Sequence, residues 1–324
     1  MMNYEHFGAF LKELREARNL TKEQLASGVC TRKEIYRIEK GEYQPSLYLL
    51  NKLSIKLNVD LNEYFKMYYT VKTAGGLIGI QEINDAISLA DITCLKEVIK
   101  KYENNDDFRQ GENLQHIYYA KAICESDIGN YKESLEYCMK GIFIENALFT
   151  IDTITEFMYS NVGLAIINYI SINYLNMKKS EVAYKILSDL LYLIEKHYID
   201  SPYIMYQAGQ FSKKMYIGIQ YNLGYIYLSD NELEKAEEMI DKGIEFSIKE
   251  YNLRYMPNLI YHKFILLYKK GDFKEAAEYF IQAKGLFKLL KQMKTSVEIE
   301  ESVKIDYPEI LKYLNDKDAV IDKI

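Results

Sequence analysis

The chain has 324 residues, about twice a usual domain, so two domains or one domain with a repeat array are expected. Apolar residues make up 48% and charged residues 27%, which excludes a disordered chain, and 4 prolines with 16 glycines suit a mostly helical one. Net charge is −6, but residues 1–69 hold 11 Lys and Arg against 9 Asp and Glu while the remainder holds 30 against 38, so a nucleic-acid face is expected at the N-terminal end.

The four cysteines (Cys30, Cys94, Cys124, Cys138) and four histidines (His6, His116, His197, His262) are scattered, with no C-x-x-C spacing. A disulfide scaffold or a metal site is therefore not expected, and nothing calls for a cofactor. The N-terminal stretch is broken by charges every few residues, and no run reaches the ~20 apolar residues that span a bilayer. A reduced, cytoplasmic protein is expected.

Helix signals come quickly. Phe7, Phe10, Leu11, Leu14 and Ala17 recur at helical spacing. T21-K-E-Q24 and T31-R-K-E34 both read as capping boxes, in which the Thr hydroxyl and the side chain three residues on satisfy each other's backbone N–H. Leu47, Leu50, Leu53 and Leu57 form a stripe, and D60-L-N-E63 starts a further helix. Five short helices are expected within residues 1–69.

The helix opened by Thr31 has Ile35 and Ile38 on its inward face, leaving Arg32, Lys33, Tyr36 and Arg37 on the other. The short helix before it ends at Gly28, which suits a tight turn. Two such helices make a helix-turn-helix, whose second helix lies in the major groove. Thr31, Arg32, Lys33, Tyr36 and Arg37 are then candidate base or groove contacts, with Lys22 at a phosphate. A charge cluster taken alone is usually a solvated face, and here the flanking pattern decides. L20-T-K-E-Q-L-A26, I35-Y-R-I-E-K-G41, P45-S46 and the leucine-rich helix resemble the XRE (Cro/repressor-type) DNA-binding domain over nearly all of residues 5–69. That resemblance implies that Glu39 pairs with Arg15 as scaffold. Leu25 and Ile35 are ten positions apart, one fewer than in general repressors, and the turn G28-V-C30 resembles the short-turn variant of peptide-dependent regulators. Cys30 reads as a small buried apolar group.

Residues 70–80, with Gly75, Gly76 and Gly79, are the expected linker, and helical hairpins follow over 81–324. A degenerate pair opens the array at 82–103. Clearer hairpins run over 128–141, 176–187, 221–244 and 266–283, and a last helix near 296–315 is bent or broken at Pro308. These resemble tetratricopeptide repeats. The equivalent small residues Ser134, Ala183, Ala236 and Ala276 lie 49, 53 and 40 positions apart, more than the usual ~34, so helices or connections are lengthened. A stacked solenoid offers a concave surface to an extended peptide. Asn side chains answer both N–H and C=O groups of such a peptide, and Asn161, Asn168 and Asn222 are candidates on first helices, with Tyr221, Tyr225 and His262 beside them.

The fold class expected is all-α: an N-terminal XRE-type helix-turn-helix domain, then a C-terminal tetratricopeptide-repeat solenoid. That layout resembles the RRNPP family of quorum-sensing regulators. The resemblance implies a cytoplasmic homodimer that binds an imported signalling peptide and thereby changes its grip on a palindromic DNA operator, with no membrane partner. The alternatives are a repeat scaffold for a protein partner, or a peptide-independent XRE-type repressor. An enzyme is not expected, since no phosphate loop, H-E-x-x-H or nucleophile elbow is present.

Overall fold

The computed structural model describes residues 6–57, 59, 61, 65, 74–199 and 206–314, and no strand occurs among them. None of its helices is long and apolar enough to cross a membrane. The chain divides within one helix into two compact units, residues 1–120 and 121–324.

The first unit begins with α1 (Phe7–Ala17), α2 (Lys22–Ala26), α3 (Arg32–Glu39) and α4 (Leu47–Leu57). Side chains start each helix. His6 Nδ1 accepts from the Ala9 N–H at 3.2 Å, and Ser46 Oγ accepts from Leu49 N–H at 3.2 Å. Both expected capping boxes are present: Gln24 N–H to Thr21 Oγ1 at 3.1 Å with Thr21 N–H to Gln24 Oε1 at 2.7 Å, and the same reciprocal bonds between Thr31 and Glu34. Phe7, Leu11, Leu25, Ile35, Ile38, Leu50, Leu53 and Leu57 meet in one core.

Two expected core positions are corrected. Ala17 is exposed, and Arg15, two residues earlier, is the buried one. Leu47 is also exposed, and Leu49 is buried in its stead. At roughly 100° per residue, Leu47 lies about a quarter-turn off the stripe centred on Leu49, Leu50, Leu53 and Leu57. The helix expected from Asp60 falls mostly outside the described residues, although Leu61 is helical and fully buried.

After the helix-turn-helix come α5 (Ala74–Ser88), α6 (Ile92–Tyr102) and the start of α7 (Gly111–Asp127). Residues 74–80, read as linker from their glycines, are the first turns of α5. The reason lies at Gly79: a Cβ there would stand 2.5 Å from Cζ of Phe108, so this glycine makes room for a ring.

The second unit continues as antiparallel pairs: α8 (Tyr131–Glu145) after α7, then α9 (Asn161–Asn176) with α10 (Ser180–Ile194), α11 (Tyr206–Ser229) with α12 (Leu233–Lys249), and α13 (Met256–Lys270) with α14 (Phe273–Leu289). A last helix, α15 (Met293–Asp306), stops before Pro308, where a short 3-10 turn takes over. Ser134, Ala183, Ala236 and Ala276, the four expected small positions, are all fully buried on the second helices. The added length lies in the 146–160 connection, which holds a 3-10 helix at Ile151–Glu156, and in the 24-residue α11.

One closure recurs along the array. Ala90, Gly129, Lys178, Asn231, Gly271 and Lys291 all have left-handed φ between 53° and 87°. In each case the next N–H reaches the carbonyl five residues back, as Glu232 to Tyr227 at 2.9 Å and Asp272 to Leu267 at 3.0 Å. This is the Schellman closure, which satisfies the last carbonyls of a helix and turns the chain sharply.

Candidate functional site

Between α2 and α3 the chain turns through Gly28 (φ +72°), and the N–H groups of Val29 and Cys30 both reach the Ala26 carbonyl at 2.9 Å. Lys56 of α4 braces this turn by donating to the Ser27 carbonyl at 2.6 Å. Cys30 is half-buried against the core, and burial pushes its thiol pKa up, as its reading as an apolar group requires. Behind the turn, Arg15 and Glu39 form the expected pair, with Nε to Oε1 at 2.6 Å; both are buried, and Arg15 also donates to the Leu20 carbonyl at 2.8 Å. The hydrogen bond to Glu39 raises the pKa of this arginine further.

Ile35 and Ile38 seat α3, so Arg32, Lys33, Tyr36 and Arg37 are exposed on its far side. Four of the six candidate DNA residues are already engaged. Thr31 Oγ1 accepts from Glu34 N–H and donates to Glu34 Oε2 at 2.9 Å, so its hydroxyl serves the cap. The Thr31 backbone N–H, donating to Glu34 Oε2 at 2.8 Å, and then the Thr31 hydroxyl hold the Glu34 carboxyl below its ordinary pKa. Lys22 Nζ lies 3.4 Å from Glu39 Oε2, and Arg32 Nε lies 2.6 Å from Glu23 Oε1. The Arg37 guanidinium sits over the Tyr43 ring, 5.3 Å from its centre. Glu23 and Lys56 were not foreseen, because contacts across a turn leave no helical spacing to read.

The six repeat-face candidates lie on the first helices α9, α11 and α13, and α11 packs on both of the others. Tyr221 and His262 stack at 4.6 Å with 14° between planes, Tyr225 lies 6.1 Å from the same imidazole, and Tyr255 stacks on Tyr221 at 5.8 Å. Gly218 on α11 lets Tyr255 approach, since a Cβ there would stand 3.0 Å from Tyr255 Cζ, whereas at Gly224 the close neighbour is Ile240, 3.2 Å from a Cβ. Tyr225 keeps half its surface exposed, while His262 is buried, with no hydrogen-bond partner for Nδ1 among the described residues. Burial drives the His262 pKa down to about 3, so the ring is neutral. Burial likewise raises the Tyr221 hydroxyl, against the opposing effect of a hydrogen bond with Asn258.

The asparagines lie apart from this stack. Asn161 is exposed in the first turn of α9, and Asn168 is half-buried with Oδ1 unpartnered among the described residues. Asn222 is half-buried on α11. Tyr255 was not foreseen, since it precedes the first helical residue of α13 and carries no periodicity. Among the described residues no cluster of three or more His, Cys, Asp or Glu side chains could hold a metal ion.

Residues 11–64 match the helix-turn-helix family model, and residues 217–247 match the tetratricopeptide repeat model. No curated protein sequence matches the chain. Among solved structures, PlcR of Bacillus thuringiensis in complex with the peptide PapR7 and DNA superposes with a TM-score of 0.73 at 17% identity, covering 94% of this chain and 100% of that one. ComR from S. thermophilus, in complex with DNA and its signalling peptide ComS, gives 0.61 at 17% identity over 91% and 98%. The Streptococcus dysgalactiae SHP pheromone receptor Rgg2 gives 0.58 at 16% identity over 92% and 99%. The chain has the fold of these proteins, an N-terminal helix-turn-helix domain followed by tetratricopeptide-like helical pairs.

Proposed function

We propose that this protein is an RRNPP-type transcription regulator of the cytoplasm, whose grip on a DNA operator is set by a short signalling peptide. In this reading residues 1–69 bind DNA, and the helical pairs from α5 onwards hold the peptide and dimerise. The observation that carries it is α3: a helix seated by Ile35 and Ile38 that exposes Arg32, Lys33, Tyr36 and Arg37, in a chain sharing the fold of PlcR along 94% of its length. A recognition helix needs such an exposed, cationic first turn to reach base edges, and its neighbours hold the register on phosphates.

On the repeat side, a stacked ring ladder ending in the exposed face of Tyr225 and the asparagines of α9 and α11 suit an extended peptide, whose main chain and side chains need polar and apolar partners together. Linkage does the rest. A peptide that favours one arrangement of the helical pairs shifts operator affinity, and DNA shifts peptide affinity by the same factor.

A mobility-shift titration of the gene's own upstream DNA tests this, with synthetic peptides from any adjacent small reading frame. The expected result is salt-sensitive operator binding, changed by one peptide and abolished by joint substitution of Lys33, Tyr36 and Arg37 to Ala. Operator binding untouched by those substitutions would overturn the DNA assignment, and binding intact with no response to any peptide would leave a peptide-independent repressor.

A further inference from the structure

Arg32 is the first residue of α3 and Glu23 the second of α2, so the helix-turn-helix brings two first turns together. Their side chains meet there, Arg32 Nε standing 2.6 Å from Glu23 Oε1. Both remain largely exposed, at 70% and 58%. An exposed pair of this kind adds little to stability. It also sets a carboxylate beside the surface that would approach a phosphate backbone, which by itself weakens DNA binding. A purely structural account therefore gives Glu23 almost nothing to do.

The geometry supplies a use. A guanidinium has five N–H donors in a planar fork, and guanine is read by two of them at O6 and N7. The Glu23 carboxylate pairs with the Nε edge as an ion pair, which holds the group to that side and leaves the terminal fork of Nη1 and Nη2 to reach a base. An unrestrained arginine would spread over many rotamers and contact phosphates as readily as bases. Building on the DNA-binding reading above, we propose that Glu23 is a positioning residue: it orients Arg32 towards one base pair and sacrifices some sequence-independent affinity to do so.

The test is selection of bound duplexes from a randomised pool by the full-length wild type and by Glu23→Ala, Glu23→Gln and Arg32→Ala, with affinity for a mixed-sequence duplex measured alongside. Wild type is expected to show a guanine preference of about 5- to 100-fold at one position of each half-site. Glu23→Ala should reduce that preference to about 2-fold or less, the level of the Arg32→Ala protein, while mixed-sequence DNA binds more tightly because a repelling charge is gone. Glu23→Gln keeps an oxygen acceptor for Nε, so it should retain most of the preference and still gain mixed-sequence affinity. Circular dichroism should be unchanged in all three, since the side chains are exposed. Preference retained in Glu23→Ala, or lost equally in Glu23→Gln, would overturn the positioning role and leave the DNA-binding reading intact. A wild-type protein that selects no sequence would overturn both.

Discussion

The guanidinium of Arg15 and the carboxylate of Glu39 form a two-point pair inside the helix-turn-helix domain, Nε to Oε1 at 2.6 Å and Nη2 to Oε2 at 3.2 Å. It ties α1 to the end of α3, so the orientation of the recognition helix depends on it. Removing one partner strands a buried charge, which typically costs about 3–5 kcal/mol. Glu39→Leu should fall short of that cost, because Arg15 keeps Glu16 at 3.0 Å and the Leu20 carbonyl at 2.8 Å. Arg15→Met should also fall short of it, because Lys22 at 3.4 Å still faces the carboxylate. Replacing both together should cost less than either alone, since no charge is left unpaired. Amide hydrogen exchange across α1 and α3 in the full-length chain reads this directly, and a double variant whose loss equals the sum of the two would refute it.

Backbone contact sets the next expectation. A Cβ at Gly8 would stand 1.8 Å from the Ile38 carbonyl oxygen, so α1 and α3 touch main chain to main chain. Neither side can give, and Gly8→Ala must push the recognition helix away. At Gly79 the obstacle is the ring of Phe108, at 2.5 Å, and a ring can shift. Gly79→Ala should therefore cost about 1–3 kcal/mol, the usual range for overpacking. Gly8→Ala should cost more and abolish operator binding. Pulse proteolysis with urea ranks the two, and equal losses would sink the backbone argument.

These two glycines show where sequence legibility ends. Features set by neighbours three or four apart could be read: the Thr21 and Thr31 capping boxes, the Ile35 and Ile38 face, and the small residues Ser134, Ala183, Ala236 and Ala276. Tyr221 and Tyr225 share a helical face, and repeat equivalence added His262, whose ring lies 4.6 Å from the first and 6.1 Å from the second. Features set across the fold could not. Gly79 looked like a linker glycine because its partner, Phe108, lies 29 positions away. Leu47 opens α4 three positions before Leu50, so its spacing fits the stripe while its side chain falls outside the buried face that Leu49 completes. The hairpin closures at Ala90, Lys178 and Lys291 were hidden because non-glycine residues hold the left-handed conformation there.

Those closures can be improved. A left-handed backbone costs a residue with a Cβ about 1–2 kcal/mol, whereas glycine adopts it freely and loses about 0.5–1 kcal/mol through its more disordered unfolded state. Lys178→Gly and Lys291→Gly should each stabilise their hairpins by up to about 1 kcal/mol. Gly129→Ala and Gly271→Ala, at φ +83° and +87°, should destabilise by a similar amount. Scanning calorimetry of the four variants checks the sign, and no upward shift from either lysine replacement would refute the strain assigned to these turns.

The stack around His262 makes a last prediction, about acid. The imidazole is buried, stacked on the Tyr221 ring with Tyr225 6.1 Å away, its Nδ1 unpartnered among the described residues, and burial holds its folded pKa at about 3. In the unfolded chain the ordinary value is about 6.5. Above that pH both states are neutral and His262 makes stability no more pH-dependent. Between about 6.5 and about 3 the unfolded chain binds a proton that the folded chain refuses, so stability falls as pH falls, by up to about 1.4 kcal/mol per pH unit. His262→Phe keeps a ring in the ladder and removes the proton site. Its urea midpoint should therefore decline less steeply than wild type between pH 6 and pH 4, in addition to whatever the carboxylates contribute to both proteins. Parallel curves for the two proteins would show that His262 takes up its proton equally in both states and that the stack does not exclude charge.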